Sequence, residues 1–420
     1  MSIHPDNRAA LLKISDQCVM CGMCAPHCPT YLKHHNEAES PRGRISLIQA
    51  LLHNKIPLDE KLKQHLDSCL NCRACEASCP SGVKYGELID GIRRQQRTQE
   101  QQPNRAKEKL LETTASTKKL RNSAKLIRLA QLSGTYKLLS KGIEHFIVEQ
   151  PHINELLPER LPAHQHWAEQ YPAVGDEQGH ISLFTGCIAD IIDQSTLQDA
   201  ITLLTYSGFR VTIPPSQACC GALHHHAGDT SRSHSLAEAN IEAFSDNSAE
   251  HIIHCATGCG AHLMEYGQQL TTPKAEAFAL KVEEISHFLL KHGTQKLSIK
   301  PLNEVVSIHL PCTQRNVLKQ STTPFDLLKL IPELTTEPLA GNHLCCGAAG
   351  SYMLEQPKMA QQLRQDKVDA LQQSRANILV SSNIGCAMHI AAGLRQQGQI
   401  IEVLHPITLL ARQLNKQSES

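Results

Sequence analysis

Eight cysteines in two runs offer the first chemistry. "CVMCGMCAPHCP" at 18–29 returns as "CLNCRACEASCP" at 69–80, with the same spacing 51 residues on. Each run reads Cys-x2-Cys-x2-Cys-x3-Cys-Pro. Three thiolates so spaced wrap one corner of a cuboidal cluster, and the fourth, turned away by its proline, reaches the neighbouring cluster. The spacing predicts two [4Fe–4S] clusters. One is held by Cys18, Cys21, Cys24 and Cys79, the other by Cys69, Cys72, Cys75 and Cys28. Zinc is the competing chemistry, but it favours paired CxxC knuckles with a long gap. Such clusters carry single electrons and transform no substrate, so an electron donor and an acceptor are implied.

The other nine of the 17 cysteines fall in two matched halves. The first half holds "FTGC" ending at Cys187, "ACCGALHHH" with Cys219 and Cys220, and "CATGCGAH" with Cys255 and Cys259. The second holds "HLPC" ending at Cys312, "LCCGAAGSY" with Cys345 and Cys346, and "SSNIGCAMH" with Cys386. Partners are offset by 125, 126 and 127 residues, which marks a duplicated module. Ser382 stands where Cys255 would repeat, so Cys255 reads as a buried strand-end thiol or an extra ligand. Three readings remain for the Cys-Cys-Gly sites: a further iron–sulfur cluster, a redox-active thiol pair, or a scaffold without cofactor. Of the run His224, His225 and His226, one at most is expected to face any one site. His226 or His389 could donate to a cluster sulfur or carry a proton; packing or solvation is the plainer role.

The elements that must position these residues follow from periodicity. "GRISLIQALLH" at 43–53 has helical spacing between the two runs. In the duplicated half, "HISLF", "FRVTI", "HIIH", "VVSIHL" and "NILVS" read as strands running into cysteines. Helices at Thr196–Thr205, Ser235–Phe244 and Pro357–Gln372 alternate with them. That alternation predicts a largely parallel sheet, with ligands collecting beyond the carboxyl ends of the strands. Between the two cysteine runs and the duplicated part, residues 91–141 carry 13 Lys/Arg against 3 Asp/Glu. "RRQQRTQEQQPNRAKEK" reads as a linker. Leu129, Leu132, Tyr136, Leu139, Ile143 and Phe146 then recur at helical spacing. That helix either packs its apolar face on a neighbour or docks on anionic lipid or an acidic partner.

The expected fold is multidomain, α+β and α/β: a helical two-cluster ferredoxin-like domain followed by a duplicated α/β Cys-Cys-Gly domain. The expected boundaries are 1–98 for the cluster domain, 99–178 for the basic connector, and 179–300 and 301–420 for the two modules. Lys+Arg and Asp+Glu both number 41, and aromatic residues make up 4%. Neither favours a nucleic-acid partner. "MSIHPDNRAALLKISDQ" has no apolar core of a secretory signal, and no stretch reaches the ~18–20 apolar residues of a spanning helix. Seventeen cysteines in a chain of this kind are expected reduced, in the cytoplasm. No GxGxxG after a strand, P-loop or GxSxG is present, so no nucleotide site or catalytic residue is assigned.

Two CxxCxxCxxxCP runs followed by two Cys-Cys-Gly modules resemble the iron–sulfur subunits of glycolate oxidase, anaerobic glycerol-3-phosphate dehydrogenase and lactate-utilisation systems, and more distantly heterodisulfide reductase. "HCPTY", "SPRGRISLI", "CPSGVKYGELID", "CCGALHHH", "GCGAHLMEYG", "HLCCGAAGSY" and "NIGCAMH" favour the glycolate oxidase (glycolate dehydrogenase) subunit over nearly the whole chain. The resemblance implies electron transfer without substrate oxidation, since a separate FAD-containing subunit oxidises glycolate and electrons pass to the quinone pool or another membrane acceptor. It places the chain in the cytoplasm, peripheral on the inner membrane through its complex. It also maps the eight cysteines of the two runs onto cluster ligands. The alternatives are a lactate or glycerol-3-phosphate dehydrogenase subunit, and a thiol redox enzyme like heterodisulfide reductase acting through the Cys-Cys-Gly sites Cys219, Cys220, Cys345 and Cys346. Cys187, Cys219, Cys220, Cys259, Cys312, Cys345, Cys346 and Cys386 are the candidates for an additional cluster or redox thiols.

Overall fold

Each cysteine run is shaped by alternating left-handed backbone. Met20 and Gly22 in the first run, and Asn71 and Arg73 in the second, all have positive φ. Outside glycine that conformation costs about 1–2 kcal/mol per residue, and its repetition curls each chain segment so that its cysteines converge. The computed structural model describes residues 5–99, 105–136, 153–245 and 248–415.

Short helices frame these turns. Pro41–Leu52 starts on Ser40, whose Oγ accepts from Gly43 N at 2.9 Å. It buries Ile45, Ile48, Leu51 and Leu52. These pack with Leu11, Leu62, Leu66, Val83, Tyr85, Leu88, Ile89 and Ile92 into one small core. Beneath it, the buried Arg44 ties the runs together. Its guanidinium bonds Glu39 Oε2 (2.5 Å), Ser68 Oγ (2.7 Å), Thr30 Oγ1 (3.1 Å) and the carbonyl of His65 (2.7 Å). Thr30 follows the first run and Ser68 precedes Cys69, so one cation fixes both cysteine segments.

The sequence expectation of a linker after residue 93 is corrected. Residues 93–99 continue the helix Tyr85–Gln99, and a second helix, Arg105–Thr114, follows. Gln95 is buried there and Arg97 is paired with Glu108 at 2.7 Å, so the polar sequence is a packed helix rather than a free connector. The next helix, Thr117–Leu132, exposes Leu129 (61%) and Leu132 (47%), so these two do not pack on a neighbour as one reading expected. Leu139, Ile143 and Phe146 lie outside the described residues.

The duplicated half forms two sheets. The first has the order β1-β3-β2-β4-β5, from Gln170–Tyr171 (β1), Gly179–Phe184 (β2), Phe209–Thr212 (β3), His251–His254 (β4) and Val282–Glu284 (β5). All its pairs are parallel except β1 with β3. The second has the order β7-β6-β8-β9 and is parallel throughout, from Val305–His309 (β6), Thr335–Pro338 (β7), Ile378–Ser381 (β8) and Glu402–Leu404 (β9). Ile181, Leu183, Ile253, Val306, Ile308 and Val380 are buried in one continuous core with the helices Gln194–Tyr206 and Pro406–Arg412. The chain is therefore a helical ferredoxin-like domain followed by two α/β modules. Among the described residues no helix is long and apolar enough to cross a membrane.

Candidate metal centres

None of the 17 cysteines forms a disulfide. In the helical domain two small cavities collect eight of them. Cys18, Cys21, Cys24 and Cys79 line the first, beside Arg42, Ile45 and Val83. Cys28, Cys69, Cys72 and Cys75 line the second, beside Thr30, Arg44 and Tyr85. Cys75 also touches the first cavity, because it stands in the wall between them. Burial pushes its thiol up, and so do Cys72, Cys69 and Cys28, with Cys24 weaker than these three. Four converging sulfurs per cavity, a left-handed cradle and surrounding apolar side chains fit a [4Fe–4S] cluster in each.

Each α/β module gathers its own quartet beyond the strand ends. In the first, Cys187 Sγ lies 3.5 Å from Cys219 Sγ, and Cys220 bonds both Cys219 and Cys259. In the second, Cys345 bonds Cys312 and Cys346, and Cys346 bonds Cys386. The shared bonds and burial push the Cys187 and Cys220 thiols well above the usual thiol range, and Cys312 likewise. A cation among such thiols would displace their protons, so both quartets suit a metal. A ring nitrogen of His309 lies with Cys346 and Cys386 inside a span of 4.8 Å. Cys255 joins neither quartet. It packs in the core with Leu204 and Ile253, and its charged neighbours are Glu284, Asp193 and Asp199. Thiols of both quartets line a central cavity of about 540 Å³, with Leu120, Ile127 and Met353 in its walls.

The histidine run does more than the sequence reading allowed. His224 bonds Asp229 (2.8 Å) and the carbonyl of Leu111 (3.1 Å). His225 and His226 both face Asp90, at 3.5 and 3.2 Å, so two of the three serve one carboxylate. They can, because the helix Ala222–His226 packs against the helix that carries Asp90. Burial opposes the charge of Asp90, but His226 and His225 hold its carboxyl well below the usual range. Asn71 Nδ2 also donates to Asp90 at 3.0 Å, and Asn71 N lies 3.4 Å from Cys69 Sγ. His389 instead donates to the Ala360 carbonyl at 3.1 Å, and burial pushes it down to about 4, a packing role. Arg44, Asn71 and Asp90 were not singled out from sequence. Arg44 lies in "SPRGR", where nothing in the spacing distinguishes it from Arg42, and no local pattern marks Asp90.

The helical domain sits on both modules. Arg73 pairs with Glu265 of the first. Asn316 Nδ2 donates to the Cys72 carbonyl (2.7 Å), and Tyr352 Oη to that of Ser68 (3.0 Å), both from the second. Burial pushes the Cys72 thiol up, and Cys312 is its foremost charged neighbour.

Two adjacent cluster cavities beside a pair of cysteine-lined modules define an iron–sulfur electron carrier. Comparison with known proteins agrees. A 4Fe-4S dicluster domain matches residues 14–83, and a cysteine-rich domain matches twice, at 181–264 and 306–391. The chain is 32% identical to a probable glycolate oxidase iron-sulfur subunit of Bacillus subtilis, across 91% of this chain and 89% of that one. It is 32% identical to the glycolate oxidase iron-sulfur subunit of Escherichia coli, across 95% and 94%. Lactate utilization protein A of Shouchella clausii is 28% identical, across 54% of this chain and 96% of its own. The chain belongs to the family of glycolate oxidase iron–sulfur subunits, components of an oxidoreductase.

Proposed function

We propose that this chain is the electron-transfer subunit of a membrane-associated, FAD-linked complex that oxidises glycolate to glyoxylate. It receives electrons from the flavin subunit and passes them toward the quinone pool, as a cytoplasmic protein peripheral on the inner membrane. The ligand sets are Cys18, Cys21, Cys24 and Cys79 for one cluster and Cys28, Cys69, Cys72 and Cys75 for the other. Residues 1–98 form the cluster domain, 99–178 the connector, and 179–300 and 301–420 the two modules. The observation that carries this reading is the unbroken sequence of thiol sites, from the first cavity through the second to Cys312, whose neighbour across the seam is Cys72. Bound there, iron–sulfur clusters supply one-electron storage. The protein's part is to hold the thiols, shield them among apolar side chains and keep the sites adjacent.

The test is to co-purify the chain with its flavin-bearing partner under anaerobic conditions. Glycolate should bleach the visible iron–sulfur absorption, and the complex should reduce a quinone analogue. The chain should carry about eight irons or more. Bleaching by lactate or glycerol 3-phosphate but not by glycolate would overturn the substrate. A colourless, iron-free chain after reconstitution would overturn the whole reading.

A further inference from the structure

The two modules are copies, yet their strand ends differ at one position. β6 ends on His309 and β2 ends on Phe184, an offset of 125 residues, the same as between Cys187 and Cys312. His309 is 2% exposed, and one of its ring nitrogens lies within 4.8 Å of both Cys346 Sγ and Cys386 Sγ. Ser381 Oγ, at the end of the neighbouring strand β8, holds His309 Nδ1 at 3.0 Å. That contact fixes the ring and leaves Nε2 for another partner, the arrangement in which an outer hydrogen bond orients a metal-bound imidazole. The first module carries His254 at the counterpart of Ser381. Among the described residues no other histidine lies with two cysteine thiols inside this span.

Charge separates the modules further. The buried Lys367 donates to the Gly341 carbonyl at 2.5 Å and faces Cys345 and Cys346. Arg315 faces Cys312. In the first module Asn240, whose Nδ2 donates to the Cys219 carbonyl at 3.0 Å, and Ile241 stand at the corresponding stretch of helix.

We propose that His309 is a metal ligand, its Nε2 joining Cys346 and Cys386 on one iron of an iron–sulfur centre in the second module, a mixed site the first module cannot build. This rests on the reading that the second module holds a cluster. Imidazole in place of thiolate removes negative charge from a centre and raises its potential, so the second module becomes the more easily reduced of the two.

The test uses full-length holoprotein, with His309→Phe, which copies the first module, His309→Gln, which keeps a polar side chain, and Cys346→Ser. Iron and zinc are counted first. The parent should hold more iron than Cys346→Ser. Equal counts would overturn both the cluster reading and this inference, and a difference made of zinc would overturn the iron assignment. Iron loss to a chelator is then timed. The iron that distinguishes parent from Cys346→Ser should leave at least about tenfold faster from both His309 variants. Unchanged release from both, with the extra iron present, would overturn the inference alone. Pulsed EPR with 15N-histidine labelling should show a strongly coupled histidine nitrogen that His309→Phe abolishes, and a coupling that persists in that variant would also overturn the inference.

Discussion

At the scale of single residues, the site depends on where each run's fourth cysteine points. Cys28 shares its cavity with Cys69, Cys72 and Cys75, and Cys79 shares one with Cys18, Cys21 and Cys24. Cys28→Ser is therefore expected to damage the cluster built mainly by the second run, and Cys79→Ser the one built by the first. EPR of the reduced variants checks this; loss of the first-run signal alone in Cys28→Ser would contradict it. This crossing was legible because a proline after a three-residue gap leaves a fourth thiolate no path back to its own corner. The setting of Cys255 was less legible. Its sequence, "CATGC", looks like a ligand pair, yet Cys255 is buried in the same apolar core as Leu204 and Ile253. A helix starts at Thr257, so Cys259 stands on its first turn while Cys255 stays at the strand end.

At the scale of elements, strands aim the thiols and caps hold the helices that follow. Glu284 ends β5 and caps the helix Ile285–His292, accepting from His287 N and Ser286 Oγ, both at 3.0 Å. Burial pushes its carboxyl up to about 7, against which these hydrogen bonds act only in part. The folded state thus holds a proton that the unfolded chain, with an ordinary glutamate near pKa ~4.3, has lost. Stability from this group is complete below the unfolded value and declines as pH rises toward about 7. Glu284→Gln keeps an acceptor for the cap and should flatten that decline. Denaturant midpoints of parent and variant at pH 5 and pH 8 measure it, and an equal fall in both would refute the assignment. The strands themselves were readable from alternating apolar runs. The helical state of residues 93–99 was not, because its polar residues gain their partners from elements distant in sequence: Arg93 donates to the Cys69 carbonyl at 2.5 Å.

At the scale of the whole molecule, the cluster domain is seated on both modules. Asp90 is the buried centre of that seam, gathering Asn71 from the cluster loop with His225 and His226 from the first module. Asp90→Ala leaves these groups facing each other without their carboxylate. A broken buried pair costs about 3–5 kcal/mol, and the half-exposed His226 argues for the lower end. Hydrogen exchange should accelerate in Tyr85–Gln99 and Ala222–His226 before it does in β2 or β6. Uniform acceleration, or none, would show that the seam does not depend on this carboxylate.

The sequence by itself determined the two four-cysteine groupings of the runs, the duplicated α/β plan and the absence of a nucleotide motif. These follow from spacing and period, which are local and survive without the fold. Only the tertiary structure decided what meets across the chain. It brought Cys72 to Cys312, Asp90 to two adjacent histidines, and His309 to one thiol quartet while Phe184 ended the strand at the other. Those contacts join residues 37 to 240 positions apart. No periodicity encodes them, because they arise where separately folded surfaces are pressed together by burial of their apolar faces.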